Sequence, residues 1–269
     1  MKMNLIYSIG LLAVFTLVNS CTRVIDLQLR DDSGQLDIEA NLTNVNGPQS
    51  VILRRNVPFS STNDYPPVTG ATVTLTNQTG NTFRLAEEQP GNYTINPFWG
   101  IAGNTYTLNV VTGGQVYSAG STMPAAVRLD SLSDKNRPLN RDQGQKAQKV
   151  ITAYYQDPPG VANEYRFIEW VNAVQVKSVF TYDDQLTDGK YVILDLLEQD
   201  IDIYPGDTVK VEMQCIDRPV YTYWFALESQ QANNFNGAVA PANPPTNVAP
   251  ATLGYFSAHT AQTIIFIVK

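Results

Sequence analysis

The chain has 269 residues, 18 basic and 25 acidic, for a net charge of −7, with one histidine and two cysteines. Acidity without a Lys/Arg cluster excludes nucleic acid, whose affinity comes from neutralised phosphates, and excludes polybasic docking on anionic lipid. So few histidines and cysteines exclude the usual His/Cys zinc ligand sets and a disulfide framework.

At the N-terminus Lys2 precedes a mostly apolar run from Leu5 to Val18, short of the roughly 20 residues that a spanning helix needs. With Ser20 as the small residue before a cut, residues 1–20 read as a secretory signal peptide. "LVNSC" (17–21) resembles a bacterial lipobox, so Cys21 is expected to be acylated, palmitate included, and to become the mature N-terminus. Two or more acyl chains anchor stably, at about 0.8 kcal/mol per buried CH₂. Residues 21–34 then form a tether, and Thr22, in place of an Asp, favours delivery to the outer membrane. The periplasmic and surface faces both stay open. An ordinary secreted protein is the alternative, in which Cys21 could pair with Cys215.

Residues 35–126 carry short alternating runs: "QLDIEANLT", "QSVILRRN", "ATVTLTN", "NTFRLAEE", "NYTIN", "TYTLNVV" and "QVYSAGSTM". Turn chemistry separates them, with "NQTGN" and "VTGGQV" as hairpin signals. About seven strands of this kind describe a β-sandwich. An immunoglobulin-like or transthyretin-like N-terminal domain is expected.

Residues 127–269 begin a second β domain. "LSDKNRPLNRDQGQ" (132–145) lacks periodicity and reads as a loop. Longer, aromatic-rich strands follow at 148–157, 163–172, 174–184, 189–197 and 207–217. Cys215 sits in the last of these, as a small buried apolar residue rather than a nucleophile. Asp217 as cap, Pro219 in the first turn and the stripe Val220, Tyr223, Trp224 and Leu227 predict one helix over 219–233. "TIIFIVK" predicts a terminal strand central in a sheet, being apolar on both faces.

Between helix and last strand, 233–259 is long for a connection without a function. Four prolines stiffen it, and Asn234, Phe235, Asn247, Tyr255 and Phe256 are the contacts expected of a binding surface. The competing reading seals one end of the second sandwich with this segment, placing Tyr255 and Phe256 in the core.

Several stretches carry a resemblance: "CTRVIDLQL", "VTGATVTLTNQTGNTFRL", "PGNYTI" with "AGNTYTLNV", "YSAGSTMP" with "LDSL", "YTYWFALESQQANN", and "NPPTNV" leading to "LGYFSAH". In this order and spacing the chain resembles the DUF4249 family of Bacteroidota lipoproteins. The resemblance implies an outer-membrane lipoprotein of the kind often associated with TonB-dependent receptors, with no assigned catalytic residues.

Catalytic chemistry is thinly supplied. His259 lacks a G-x-S-x-G elbow upstream. Glu169, Asp195, Glu198, Asp200, Asp202 and Glu228 could converge as acid and base, although they read as solvated faces. "DDSGQLD" (31–37) and "DDQLTDG" (183–189) miss the calcium-loop spacing, so no metal or other cofactor is assigned. The expectation is a non-enzymatic accessory or ligand-binding lipoprotein. A carboxylate glycoside hydrolase of the envelope, or a structural or adhesive surface lipoprotein, is the alternative.

Overall fold

Alternation of apolar and polar residues sets the strands. Leu36, Ile38, Ala40 and Leu42 of β1 (Leu36–Thr43) are buried on one face, while Asp37, Glu39 and Asn41 occupy the other. In the computed structural model, residues 33–58, 64–137, 148–233, 242–250 and 252–269 are described. The fold is all-β with one described helix.

The strands β2 (Gly47–Arg55), β3 (Thr72–Asn77), β4 (Thr82–Gln89), β5 (Asn92–Phe98), β6 (Thr105–Thr112) and β7 (Gln115–Thr122) match the seven runs read from residues 35–126 together with β1. They continue into a sheet of β11-β10-β14-β16-β1-β2-β5-β4-β3-β6-β7-β15. Its later members are β10 (Glu164–Val171), β11 (Val174–Gln175), β14 (Thr208–Ile216), β15 (Val248–Ala249) and β16 (Leu253–Ile267), and β12 (Phe180–Asp183) also pairs β10. A second sheet orders β13 (Tyr191–Leu196), β9 (Lys149–Gln156) and β8 (Leu129–Asn136).

Two large apolar clusters result, besides a small one under the helix. One gathers β1 to β7 around Ile38, Leu53, Val73, Tyr93 and Leu108. The other begins at Val127 and packs the three-stranded sheet on β10 and β14, around Ile151, Tyr155, Phe167, Val211 and Met213. Along the chain the first cluster runs to Met123 and the second begins at Val127, but Val248, Phe256 and Ala258 return to the first cluster. Residues 33–269 accordingly form a single compact unit.

β16 makes the link. From Leu253 to His259 it runs parallel to β1, and from Thr260 to Ile267 antiparallel to β14. Gly254 permits the approach: its φ is +87°, and a Cβ there would lie 2.1 Å from the Ile38 carbonyl oxygen. The strand β16 is interior in the sheet order, but its "TIIFIVK" end is not central as expected: among the described residues it pairs β14 alone, and Ile265 and Ile267 are 67% and 65% exposed. The expected loop at 132–145 also differs: residues up to Asn136 belong to β8, because pairing with β9 holds a polar run in the sheet while Leu132 turns into the core. The remainder, 138–147, lies outside the described residues.

Helix α1 (Arg218–Asn233) forms where predicted. Asp217 caps it, accepting from Val220 N at 3.3 Å. The other carboxylate oxygen accepts from Ser121 Oγ (2.8 Å) and Thr122 N (2.9 Å), tying the helix start to β7. Val220, Tyr223 and Trp224 pack on Tyr255 of β16. Among the described residues, no helix is long and apolar enough to cross a membrane.

Candidate functional site

A groove opens where the strand returning along β10 contains extra residues. Asn172 and Ala173, both at positive φ (49° and 68°), reverse the chain into β11. Val171 pairs with Val174 and Phe167 with Phe180, so four steps along β10 face six on the returning chain. Val176 N still donates to the Glu169 carbonyl (2.9 Å), so the surplus falls at 177–179, an irregularity of the kind that re-aims side chains beside functional sites. This stretch is pinned by Lys177 N donating to Asp200 Oδ2 (2.9 Å), by Val179 N donating to Gln231 Oε1 (3.0 Å), and by Gln231 Nε2 donating to the Lys177 carbonyl (3.0 Å).

Two cavities share Lys177, Ser178 and Val179. The larger, about 460 Å³, is bounded by Phe180 and Tyr182, by Asp195 and Asp200, and by Glu228 and Gln231 of α1. The smaller, about 290 Å³, lies against Arg166, Ile168, Val176 and Trp224.

Three acids, Asp195, Asp200 and Glu228, line the larger cavity among apolar and neutral polar residues and Lys177. Burial raises Glu228 above the ordinary carboxylate range, opposed by hydrogen bonds from the Thr181 hydroxyl and Thr181 N (3.1 Å). For Asp195 burial acts in the same direction, but hydrogen bonds from Lys135 and from Thr152 Oγ1 (2.8 Å) outweigh it and hold the group low. Asp200 accepts from Ser178 Oγ (3.4 Å) as well as from Lys177 N.

Two further acids are fully enclosed. Glu169 is 1% exposed, and among the described residues neither of its carboxylate oxygens has a hydrogen-bond partner. Burial, then the charges of Glu198 and Asp200, push it up to about 8, so it carries its proton at neutral pH. Burial likewise lifts Glu198 to about 7, against the opposing pull of Arg137, whose Nη1 lies 2.8 Å from Glu198 Oε1.

The structure therefore brings Asp195, Asp200 and Glu228 to one cavity wall, and corrects the reading of Glu169 and Glu198 as solvated. Asp202 does not line the cavity; it accepts from Gln148 Nε2 (2.8 Å) and the Tyr204 hydroxyl (3.2 Å). The 183–189 loop places Asp184 and Asp188 beside Asp157, with ligand atoms all within 4.8 Å of one another. These carboxylates already serve the loop: Asp157 accepts from the Tyr165 hydroxyl and Gly189 N, Asp184 from Asn163 N, and Asp188 from Gly160 N.

The proposed binding segment is used for packing where it is described. Phe256 is 1% exposed in the first core, and Tyr255 lies under α1. Asn247 donates from Nδ2 to the Phe256 carbonyl (2.7 Å) and accepts from Phe256 N (3.0 Å), stapling the loop to β16. Within the described part, Val248 and Phe256 thus pack in the first core and Tyr255 in the cluster under α1. Asn234 and Phe235 lie outside the described residues. His259 contacts Ser257 Oγ through Nδ1 at 2.9 Å, yet both are buried, and desolvation followed by Arg166 pushes the imidazole down to about 3. No substrate can reach that pair. Cys215 is buried as expected, its Sγ accepting from Val127 N at 3.3 Å.

Residue reading missed Arg166, Lys177 and the surplus at 177–179. The surplus is two residues, so the pleat parity of Val174, Val176, Phe180 and Tyr182 is unbroken and no phase slip marks the irregularity.

What the fold and groove define is an all-β protein with a cleft of mixed apolar and charged lining beside its one described helix. The sequence pattern of DUF4249, a domain of unknown function, matches residues 22–265, and the chain belongs to that family. No curated protein matches it at a significant level.

Proposed function

We propose that this protein is a lipid-anchored lipoprotein of the outer membrane, a non-enzymatic component that binds a ligand in the larger cavity and associates with a TonB-dependent receptor. The anchor reading rests on Leu17–Cys21 and the signal-like run before it. The observation that carries the binding reading is the cavity of about 460 Å³, within the size range of small-molecule sites. Its acids are held by protein donors before any ligand arrives, so they form a fixed set of acceptors for hydroxyl or amino groups. Labelling cells with radioactive palmitate tests the anchor: the natural chain takes up label and pellets with membranes, whereas Cys21→Ala stays unlabelled and soluble. A Cys21→Ala chain that still pellets after a high-salt wash overturns it. Cross-linking in intact envelopes should recover a TonB-dependent receptor, and recovery of none removes that partner.

One observation favours a second reading, an envelope glycoside hydrolase. Glu228 and Asp195 line one cavity with their pKa values displaced in opposite directions, as a general acid and its ionised partner require. Against it, both Asp195 oxygens are already occupied by donors. Release of chromophore from aryl glycosides, abolished in Glu228→Gln, would replace the binding reading with this one.

A further inference from the structure

The smaller cavity carries charge of the opposite sign. Arg166 lies on the α1 face of β10, its guanidinium carbon 3.4 Å from the centroid of the Trp224 ring. Arg54, Arg137 and Arg218 each sit against a carboxylate, but Arg166 forms no ion pair among the described residues. Its Nη1 donates only to Gln214 Oε1 at 3.3 Å, and Gln214 in turn donates to Glu212 Oε1 at 2.7 Å, so the acid reaches it through an intervening amide. Tyr255 offers a hydroxyl. The neighbouring His259 supplies no countercharge, an imidazole being either neutral or cationic. Arg166 is half-buried; desolvation lowers its pKa, and the Tyr255 hydroxyl and the charge of Glu212 offset this only in part.

A guanidinium presents five donors in a planar fork that matches a carboxylate bidentately. An enclosed charge lacking a direct partner is costly unless something completes it. The cavity leads to this group and holds about 290 Å³, with Ile168, Val176, Val179 and Trp224 as apolar wall and the exposed Lys177 as a second cation. Among the described residues, no acidic side chain lines it.

We infer that this cavity binds the carboxylate of a small organic acid with an apolar body, Arg166 taking the carboxylate and Lys177 supporting it. A single negative charge suits the site better than a phosphate dianion. One fork and one exposed ammonium supply few donors for a dianion, and the chain is acidic overall. The inference concerns a different cavity from the proposed ligand site, and its test needs neither the anchor nor the receptor, so the two can fail separately.

Equilibrium dialysis of the full chain in detergent against radiolabelled benzoate tests it, with benzyl alcohol and inorganic phosphate as comparisons. Benzoate should bind saturably at one site, and the alcohol and phosphate at least tenfold more weakly. Arg166→Gln should weaken benzoate at least tenfold, the scale of a lost charge-assisted pair, and Lys177→Gln by two- to threefold. No saturable benzoate binding, or equal binding of the alcohol or of phosphate, overturns the proposal. If Arg166→Gln fails to fold, the comparison of benzoate with benzyl alcohol on the natural chain still decides. Lys177 is exposed, so a Lys177→Gln chain that folds normally and binds benzoate unchanged removes Lys177 from the site.

Discussion

The two halves of β16 are covalently one strand in opposite surroundings. "YFSAHT" (255–260) contains Ser257, His259 and Thr260, yet every residue of it is buried. "TIIFI" (263–267) is the more apolar half, yet Ile265 and Ile267 face solvent. Coverage accounts for the inversion. The first half lies beside β1, with Tyr255 beneath α1 and Ala258 N donating to Ser121 Oγ of β7 at 2.9 Å. The second half has β14 as its antiparallel neighbour, and only alternate residues such as Phe266 and Val268 reach the second core. Burial here is decided by what other elements place over the strand rather than by the strand's own hydropathy.

Gly254→Ala should show the largest effect. A Cβ 2.1 Å from a backbone oxygen, at φ +87°, can be relieved only by moving β16 off β1. A loss of about 3 kcal/mol or more is expected in denaturant melts. An unchanged midpoint would mean that the two strands are not held at this spacing.

Cys215→Ser acts where β14 meets the start of the second half, opposite Thr260. A hydroxyl replacing a buried thiol should cost roughly 1 to 3 kcal/mol. Reductant, by contrast, should leave the melting temperature of the natural chain unaltered, since Cys215 is a free thiol.

Glu169→Gln sharpens the contrast between the cores, because the second holds enclosed acids. Burial keeps the Glu169 proton in the folded state up to about pH 8, whereas the unfolded chain releases it near the ordinary carboxylate value. Across that window the folded state binds more protons, so this group makes stability fall as pH rises, by up to about 1.4 kcal/mol per unit. Glu169→Gln should therefore gain on the natural chain more at pH 8 than at pH 5. Taking the difference between the chains cancels His259, whose depressed pKa acts in the opposite direction at lower pH. An identical difference at both pH values would show that Glu169 is ionised in the fold.

Ile265→Thr should have the smallest effect, within about 0.5 kcal/mol, as an exposed β-branched exchange. A larger cost would show that this face is covered in solution.

Local rules made most of the elements legible. The period-two runs located β1 to β7, and Asp217, Pro219 and the Val220–Trp224 stripe located α1 to within a residue. The groove was legible only in fragments. Glu228, Asp195 and Asp200 were noticed as acids, but their convergence depends on β12, β13 and α1 meeting, and these contacts join residues far apart in the chain. Arg166 alternates correctly for a strand and carries no local mark of lacking an anion.

The amino-acid sequence by itself determined the all-β class, the helix, the family and the expectation of a lipidated Cys21, because each depends on short-range periodicity or on contiguous motifs. Only the tertiary structure decided that β16 changes partners between His259 and Thr260, that Tyr255 and Phe256 are packing residues, and that two cavities of opposite charge flank residues 177–179. Those outcomes turn on which distant surfaces cover a strand and on a two-residue surplus that leaves the alternation of side chains intact, neither of which local spacing records.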